Sequence, residues 1–369
     1  MAKTRFCLIG GFLGAGKTTL IGQLARRYQS QGKTVAIVTN DQADDLVDTM
    51  NLRSQGFDVG EVSGACFCCS FDNLVDTAQQ LIGKATPDVI LAEPVGSCTD
   101  LVATVVLPMQ QLLGAQFELA SFGVLLKPSH GRRILGQTRT GNSGFSAQAE
   151  YIFRKQLEEA DYLMLGRQDQ MNESDREHLT ALLNAAAPGV PVLAVSPATG
   201  YGVDAVLEQL ESRNQAARRL LEIDYDIYAV GEAELGWVNL SAQMTVSGAP
   251  VALDAVSKSL VQAIADACVE HGEIAHLKAS LSSGDTRSVA NVVSNDSPVD
   301  LGLSSDREVS EPIDVIVNAR VAMDPDLLLS IVSTVGEQVA EQWNCGWATQ
   351  TSHALRPGRP TPTHRVGSL

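Results

Sequence analysis

The sequence predicts an α/β protein with a doubly wound, mainly parallel sheet, followed by a smaller α+β unit. Three observations lead there. Short apolar runs alternate with amphipathic stretches over the first 200 residues or so, as strands alternating with helices do. A glycine-rich loop joins the first such run to the first amphipathic stretch. After about Gln215 the pattern changes to strands and helices in a different order.

Taken in order, Arg5 to Ile9 (RFCLI) reads as a strand, then come glycines, then a helix from Lys17 to Tyr28. Thr34 to Val38 is a second strand, ending at Thr39, Asn40 and Asp41. Asp88 to Ala92 is another, running into Glu93-Pro94-Val95-Gly96. Phe122 to Leu126, Tyr162 to Leu165 and Val192 to Val195 complete the strands of this half, with helices between them, for example Tyr151 to Ala160. We place this domain at 1–215 and an acidic, aromatic linker at 216–236. The C-terminal domain, 237–355, reads strand 237–246, helix 252–271, strands 274–280, 289–293 and 314–321, helix 325–343 and strand 347–354. With one middle strand as a hairpin arm, that order is the ferredoxin-like split βαβ motif. Ser294 to Glu311 reads as a polar loop, and 356–369 as a proline- and arginine-rich, extended tail.

Composition narrows the function. The chain has 369 residues and a net charge of −16. That charge argues against general nucleic-acid binding but not against one nucleotide in a local pocket. No apolar stretch is long and charge-free enough to span a bilayer. The N-terminus runs into Lys17, Thr18 and Thr19 without a cleavage-like site, so we expect a cytoplasmic protein.

Gly11 to Thr18 reads GFLGAGKT, a match to G-x-x-x-x-G-K-[ST] between a strand and a helix. This is the P-loop pattern, and it makes the first domain a P-loop NTPase. Gly11, Gly14, Ala15 and Gly16 would let backbone N–H groups curl round phosphate oxygens, with Lys17, Thr18 and Thr19 opening the helix. Lys17 would reach the β- and γ-phosphates and Thr18 would bind Mg²⁺. Glu93 sits where the acid for that metal belongs, and Asp41 is a second candidate for the metal shell or for positioning water; the alternative for both is a solvated loop acid. After Tyr162 to Leu165 comes Gly166-Arg167-Gln168-Asp169, where guanine-binding loops read N-K-x-D. Asp169 would pair with the guanine edge and Arg167 would stack on the base, or Asp169 is a helix cap. Ser196 to Gly200 resembles the later loop that supports the base.

Seven cysteines are present, and three of them, Cys66, Cys68 and Cys69, fall within GACFCCS. The stretch lies between a strand-like and a helix-like segment, so the helix N-terminus would favour thiolate. Three thiolates on Zn²⁺ leave one tetrahedral position open. Buried inert thiols and a redox couple are the competing readings. Cys7, Cys98, Cys268 and Cys345 read as lone packing residues.

GFLGAGKTTL, a strand ending in Thr39, Asn40 and Asp41, then GACFCCS, then EPVG together resemble the CobW family of P-loop GTPases, relatives of the nickel-inserting GTPases of hydrogenase and urease maturation. The resemblance covers roughly residues 1–212. It implies a GTP-dependent metallochaperone, with Lys17, Asp41 and Glu93 in the hydrolytic site and Mg²⁺ as cofactor. Zn²⁺, or Co²⁺ in the cobalamin branch, would be cargo on Cys66, Cys68 and Cys69, delivered to a client. It also implies a possible homodimer, and no nucleic-acid or membrane partner is expected. A nucleotide-gated metal sensor with little turnover is the alternative. The sequence departs from the family at Gly166, which replaces the guanine-loop asparagine, and at Lys127 to His130, where relatives carry an aspartate. It also has no histidine-rich tract. Lys127 to Gly144, glycine-rich and basic, reads as a solvated insertion, with a mobile loop near the nucleotide as the alternative.

Overall fold

The computed structural model describes residues 3–40, 49, 52–53, 55–62, 65–137, 141, 143–212 and 219–367. They form two compact units: the described residues up to Gly231 together with 359–367, and Glu232–Gly358.

The first unit is built on strands β1 (Thr4–Gly11), β2 (Val35–Asn40), β3 (Asp58–Val62), β4 (Val89–Glu93), β5 (Phe117–Leu119), β6 (Gly123–Leu126), β7 (Tyr162–Leu165) and β8 (Val192–Ala194). All pairings are parallel, in the order β3-β2-β4-β1-β6-β7-β8, with β5 beside the start of β1. This is the doubly wound sheet the sequence predicts. Parallel strands are covered on both faces, which is why β1, β2 and β4 are near-continuous apolar runs. Helix α1 (Lys17–Ser30) buries Leu20, Ile21, Leu24, Ala25 and Tyr28, one face at helical spacing. Helix α2 (Phe71–Ala85) does the same with Phe71, Leu74, Ala78 and Leu81.

Because the strands are parallel and their loops follow the carboxyl ends, β1, β2, β4, β7 and β8 deliver their following residues to one edge of the sheet, where open α/β sheets bind ligands. Further helices of this unit include α3 (Leu107–Leu113), α4 (Ala147–Glu159), α5 (Glu173–Ala186) and α6 (Val203–Glu211), and α7 (Tyr225–Ala233) begins in it. Helix α7 occupies part of the segment expected to be a linker. It forms because its Tyr228 is fully buried and bonded to the backbone of Thr99, a contact that composition does not reveal.

The second unit has strands β9 (Gly236–Val246), β10 (Ile274–Ser283), β11 (Thr286–Val292), β12 (Asp300–Leu303), β13 (Ile313–Val321) and β14 (Cys345–Leu355). They make an antiparallel sheet in the order β12-β11-β10-β13-β9-β14. Helices α8 (Leu253–Cys268) and α9 (Pro325–Gln342) share one apolar core with it. The four strands β10-β13-β9-β14 are the predicted split βαβ arrangement, and β11 is the hairpin arm. The stretch read as a polar loop instead contains β12 and a two-residue ladder of Glu308–Val309 with Val251–Ala252. Short edge strands of this kind are set by the neighbour they meet rather than by their own residues. Among the described residues no helix is long and apolar enough to cross a membrane.

Candidate functional site

The phosphate loop follows β1. A Cβ on Gly11 would fall 2.1 Å from the Leu125 carbonyl oxygen, and φ there is 139°, so β6 leaves room only for glycine. Gly14 and Gly16 also have positive φ, and Gly16 turns directly into α1. Ala15 is buried and the Thr19 side chain is exposed. Lys17 is buried and donates to the Gly11 carbonyl at 3.0 Å, folding across the loop. The Thr18 hydroxyl donates to Glu93 Oε1 at 3.1 Å, and Lys17 Nζ lies 3.9 Å from the same oxygen. The predicted lysine, hydroxyl and acid therefore converge. Asp41 lies outside the described residues.

Behind the loop, Lys127 to Leu135 is not a solvated insertion. Residues Pro128–His130 and Gly131–Leu135 are helical, and His130 is fully buried with its ring 5.2 Å from that of Phe12 in the phosphate loop. Burial, then the charges of Lys127, Arg133 and Arg167, hold His130 well below the usual histidine range and so neutral. Glycines suggested a loose loop; the aromatic pocket of Phe12, Phe145 and His130 decides otherwise.

At the other end of the edge, Arg167 is left-handed with φ of 56°, and Asp169 lies in the one-turn helix Gln168–Gln170. Ser196 Oγ donates to Asp169 Oδ1, so the two predicted base-pocket loops are bonded to each other. Asp169 does not cap α5: Asn172 does, accepting from the Asp175 N–H at 2.9 Å. A Cβ on Gly166 would lie 3.0 Å from the Leu126 carbonyl oxygen and 3.7 Å from that of Ala15, so the position usually held by asparagine packs against the phosphate loop.

The ligand atoms of Cys66, Cys68 and Cys69 all lie within 4.8 Å of one another. Cys66 and Cys68 sulfurs are 2.9 Å apart, and Cys68 and Cys69 sulfurs 3.8 Å apart. The backbone turns tightly here: the N–H groups of Cys69 and Ser70 both donate to the Cys66 carbonyl, immediately before α2. Hydrogen bonds from Cys68, then Cys69 and Cys98, hold the Cys66 thiol well below its usual range against the cost of burial. The donors move the other way: Cys68 is raised well above the thiol range and Cys69 is pushed up to about 11, in each case chiefly by its bond to Cys66. Three sulfurs this close together are chemistry suited to a metal with affinity for sulfur.

Two features escaped the sequence. The first is Asn40, at the end of β2, whose side chain holds the cysteine loop. It donates to the carbonyls of Val62 and Ala65 at 2.9 and 2.8 Å and accepts from the Phe67 N–H at 2.8 Å. The second is Cys98, read as an ordinary packing residue. Its thiol helps to lower that of Cys66, and its carbonyl accepts from Gln156 Nε2 at 2.8 Å. Cys7, Cys268 and Cys345 are buried, Cys7 in the core of the first unit and the other two in that of the second.

The tail also reaches this place. The Thr361 N–H donates to Cys69 Sγ at 3.2 Å, and the Thr363 N–H to the Cys68 carbonyl at 3.1 Å. Arg365 Nε donates to the buried Asp100 at 2.7 Å. A proline-rich composition gives extended chain, but nothing in it says where the chain docks.

Residues 5–194, just over half of the chain, match the family described as CobW/HypB/UreG, nucleotide-binding domain. Three similar proteins are all named as zinc chaperones. CobW from Sinorhizobium sp is 34% identical over 97 residues, 24% of this chain and 27% of that protein. YeiR from Escherichia coli strain K12 is 33% identical over 94 residues, 25% of this chain and 28% of that protein. YjiA from the same strain is 24% identical over 188 residues, 49% of this chain and 55% of that protein. The matched segments thus span about a quarter to about half of those relatives. The chain belongs to the CobW/HypB/UreG family through its nucleotide-binding domain.

Proposed function

We propose that this protein is a GTP-binding and GTP-hydrolysing metallochaperone that takes a transition metal, zinc or cobalt, on Cys66, Cys68 and Cys69 and passes it to a client under nucleotide control. One observation carries the reading. Three thiols within 4.8 Å of one another sit on a loop held by Asn40, at the end of a strand whose neighbour β4 carries Glu93 to Thr18. The zinc chaperones to which the chain is similar support it.

The roles follow from the chemistry of each group. Gly11 to Thr19 supply backbone N–H groups and a helix N-terminus to the phosphates. Lys17 exchanges its bond to the Gly11 carbonyl for phosphate oxygens. A hydroxyl and a carboxylate oxygen 3.1 Å apart suit a hard cation, so Thr18 and Glu93 are the residues to hold Mg²⁺. A cation held by Thr18 and Glu93 would supply positive charge against that developing on the phosphates. Asp41 positions the attacking water. Asp169, steadied by Ser196, accepts from the guanine edge and Arg167 stacks on the ring. The cysteines bind their cargo as thiolates, releasing protons to water.

The test is titration of Zn²⁺ and Co²⁺ into reduced full-length protein with Mg²⁺ and GTP, ATP or GDP, with phosphate release followed alongside. The expected result is tight binding that is lost in Cys66→Ser and strengthened by GTP, with release of phosphate from GTP faster than from ATP. Metal binding indifferent to both the nucleotide and Cys66→Ser would refute the reading.

A further inference from the structure

We infer that Pro360 to Val366 form a strap closed over the cysteine site, which has to lift from Cys69 for a metal to enter or leave. The inference rests on the metal-binding reading of Cys66, Cys68 and Cys69 and adds a control on access to it.

The sequence of the strap suits it to this place. Proline has no N–H and a fixed φ, so Pro360-Thr361-Pro362-Thr363 is a stiff stretch whose only backbone donors belong to the two threonines. Both donate to the cysteine loop. The Thr361 N–H meets Cys69 Sγ at 3.2 Å. Thr363 donates to the Cys68 carbonyl from its N–H at 3.1 Å and from its hydroxyl at 3.5 Å. Pro360 is buried and Pro362 half-buried, while Thr361 and Thr363 are exposed, so the strap lies against the protein along its prolines.

The strap then runs onto the helix that the cysteine loop opens. The His364 ring stands edge-on to that of Phe71, with 4.9 Å between centroids, and its Nε2 lies 3.7 Å from Asp72 Oδ1. Phe71 and Asp72 are the first two residues of α2. Arg365 is the latch. Its Nε donates to Asp100 Oδ2 at 2.7 Å, and its Nη2 donates to Asp100 Oδ1 at 3.4 Å and to the Leu221 carbonyl at 2.9 Å. Asp100 is buried, and a carboxylate taken out of water needs such a partner. The Val366 N–H ends the run on the Ala103 carbonyl at 2.8 Å.

These contacts are strong at one end and weak at the other. At Arg365 they are charge-assisted and two-pronged. Over Cys69 there is one N–H···S bond, made by an exposed residue. Cys66 and Cys68 are buried and Cys69 is not fully so, which makes the accessible edge of the cluster the edge that Thr361 meets. Segments held by few, exposed hydrogen bonds open locally at little cost. The strap can therefore part from Cys69 while Arg365 keeps it tethered.

The test uses full-length reduced protein. Transfer of Zn²⁺ to an excess of a chromogenic chelator is timed with loaded protein, and alkylation of Cys69 by iodoacetamide with metal-free protein. Thr361→Pro removes the N–H that meets Cys69 and leaves Arg365 in place; Arg365→Ala undoes the latch. Both are expected to release Zn²⁺ and to alkylate at Cys69 faster than the wild type by about fivefold or more, the factor that one net hydrogen bond carries. Thr361→Ala keeps the N–H and is expected to match the wild type in both assays. Thr361→Pro decides the matter if Arg365→Ala does not fold. Zn²⁺ that is lost in Cys66→Ser, yet leaves Thr361→Pro at the wild-type rate, would overturn the strap and leave the metal site standing. A wild type that binds no Zn²⁺ would overturn both.

Discussion

Replacing Asn40 by alanine tests whether the cysteine loop is built as described. The Asn40 side chain makes three hydrogen bonds to it, to the carbonyls of Val62 and Ala65 and from the N–H of Phe67, and the residue is buried. A net hydrogen bond is worth about 1 kcal/mol, and buried groups left without partners cost more. The expected loss is therefore about 3 kcal/mol. Where the metal-free loop stays ordered in the variant, the loss appears as stability; where it melts, the loss appears as metal affinity, about a hundredfold for each 3 kcal/mol or so. The assay pairs denaturant unfolding of metal-free protein with Zn²⁺ affinity by competition against a chelator. The sum of the two losses is the measured quantity. Asn40→Asp is the control: it keeps the acceptor for Phe67 but sets a carboxylate against two carbonyls, so its sum is expected to be no smaller. A sum below about 1 kcal/mol, the value of a single net bond, would refute the account of this loop.

Three further outcomes follow from the same geometry. Asp169→Ala removes the acceptor that Ser196 steadies, and is expected to weaken GTP about 10- to 100-fold, as loss of charge-assisted hydrogen bonds does, with little change for ATP in competition binding. Burial, with the Asp100 charge adding, pushes the Glu159 carboxyl up to about 8 against the bonds from Val102 and Thr99, so the native chain keeps a proton that the unfolded chain has released. Native stability should then fall as pH rises from the ordinary carboxylate range to about 8, by up to about 1 kcal/mol per pH unit, and Glu159→Gln should abolish that slope. A wild-type minus variant difference that stays flat over this window in urea unfolding would exclude it. Arg365→Ala leaves the buried Asp100 with the hydrogen bond from the Tyr225 hydroxyl and is expected to cost about 2–3 kcal/mol in thermal or urea unfolding, below the loss of a fully buried pair.

What the sequence reveals depends on whether a residue's task is set by its neighbours in the chain. GFLGAGKT could be placed because it needs a strand before it and a helix after it, and β1 and α1 are there. The three motif thiols announce themselves by spacing alone. Asp169 was ambiguous because a polar helix follows it; only the structure shows that Asn172, three residues on, takes the capping position. Asn40 has no informative spacing to Phe67, 27 residues on, which it meets because β3 lies beside β2. The same holds for Thr361, almost 300 residues along the chain from the sulfur it bonds. Helix α7 is not legible in the sequence because it depends on Tyr225 and Tyr228 reaching Asp100 and Thr99, rather than on an apolar stripe of its own.

Nucleotide control of a metal requires one element that both ligands bias, and adjacent strands supply it here. β2 ends in Asn40, which holds the loop of the three clustered thiols; β4 ends in Glu93, which meets Thr18. The register sets Thr39 opposite Glu93 in parallel pairing, so both ends emerge at the same level of the sheet. Between Glu93 and Cys98 there is little freedom to absorb a displacement, because Gly96 lies against Leu13 and Gln156 grips both Gly96 and Cys98. On the proposed function such coupling is reciprocal: any factor by which GTP tightens metal binding is also the factor by which metal tightens GTP. Hydrolysis would then loosen the metal only by the difference between its affinities in the GTP and GDP states.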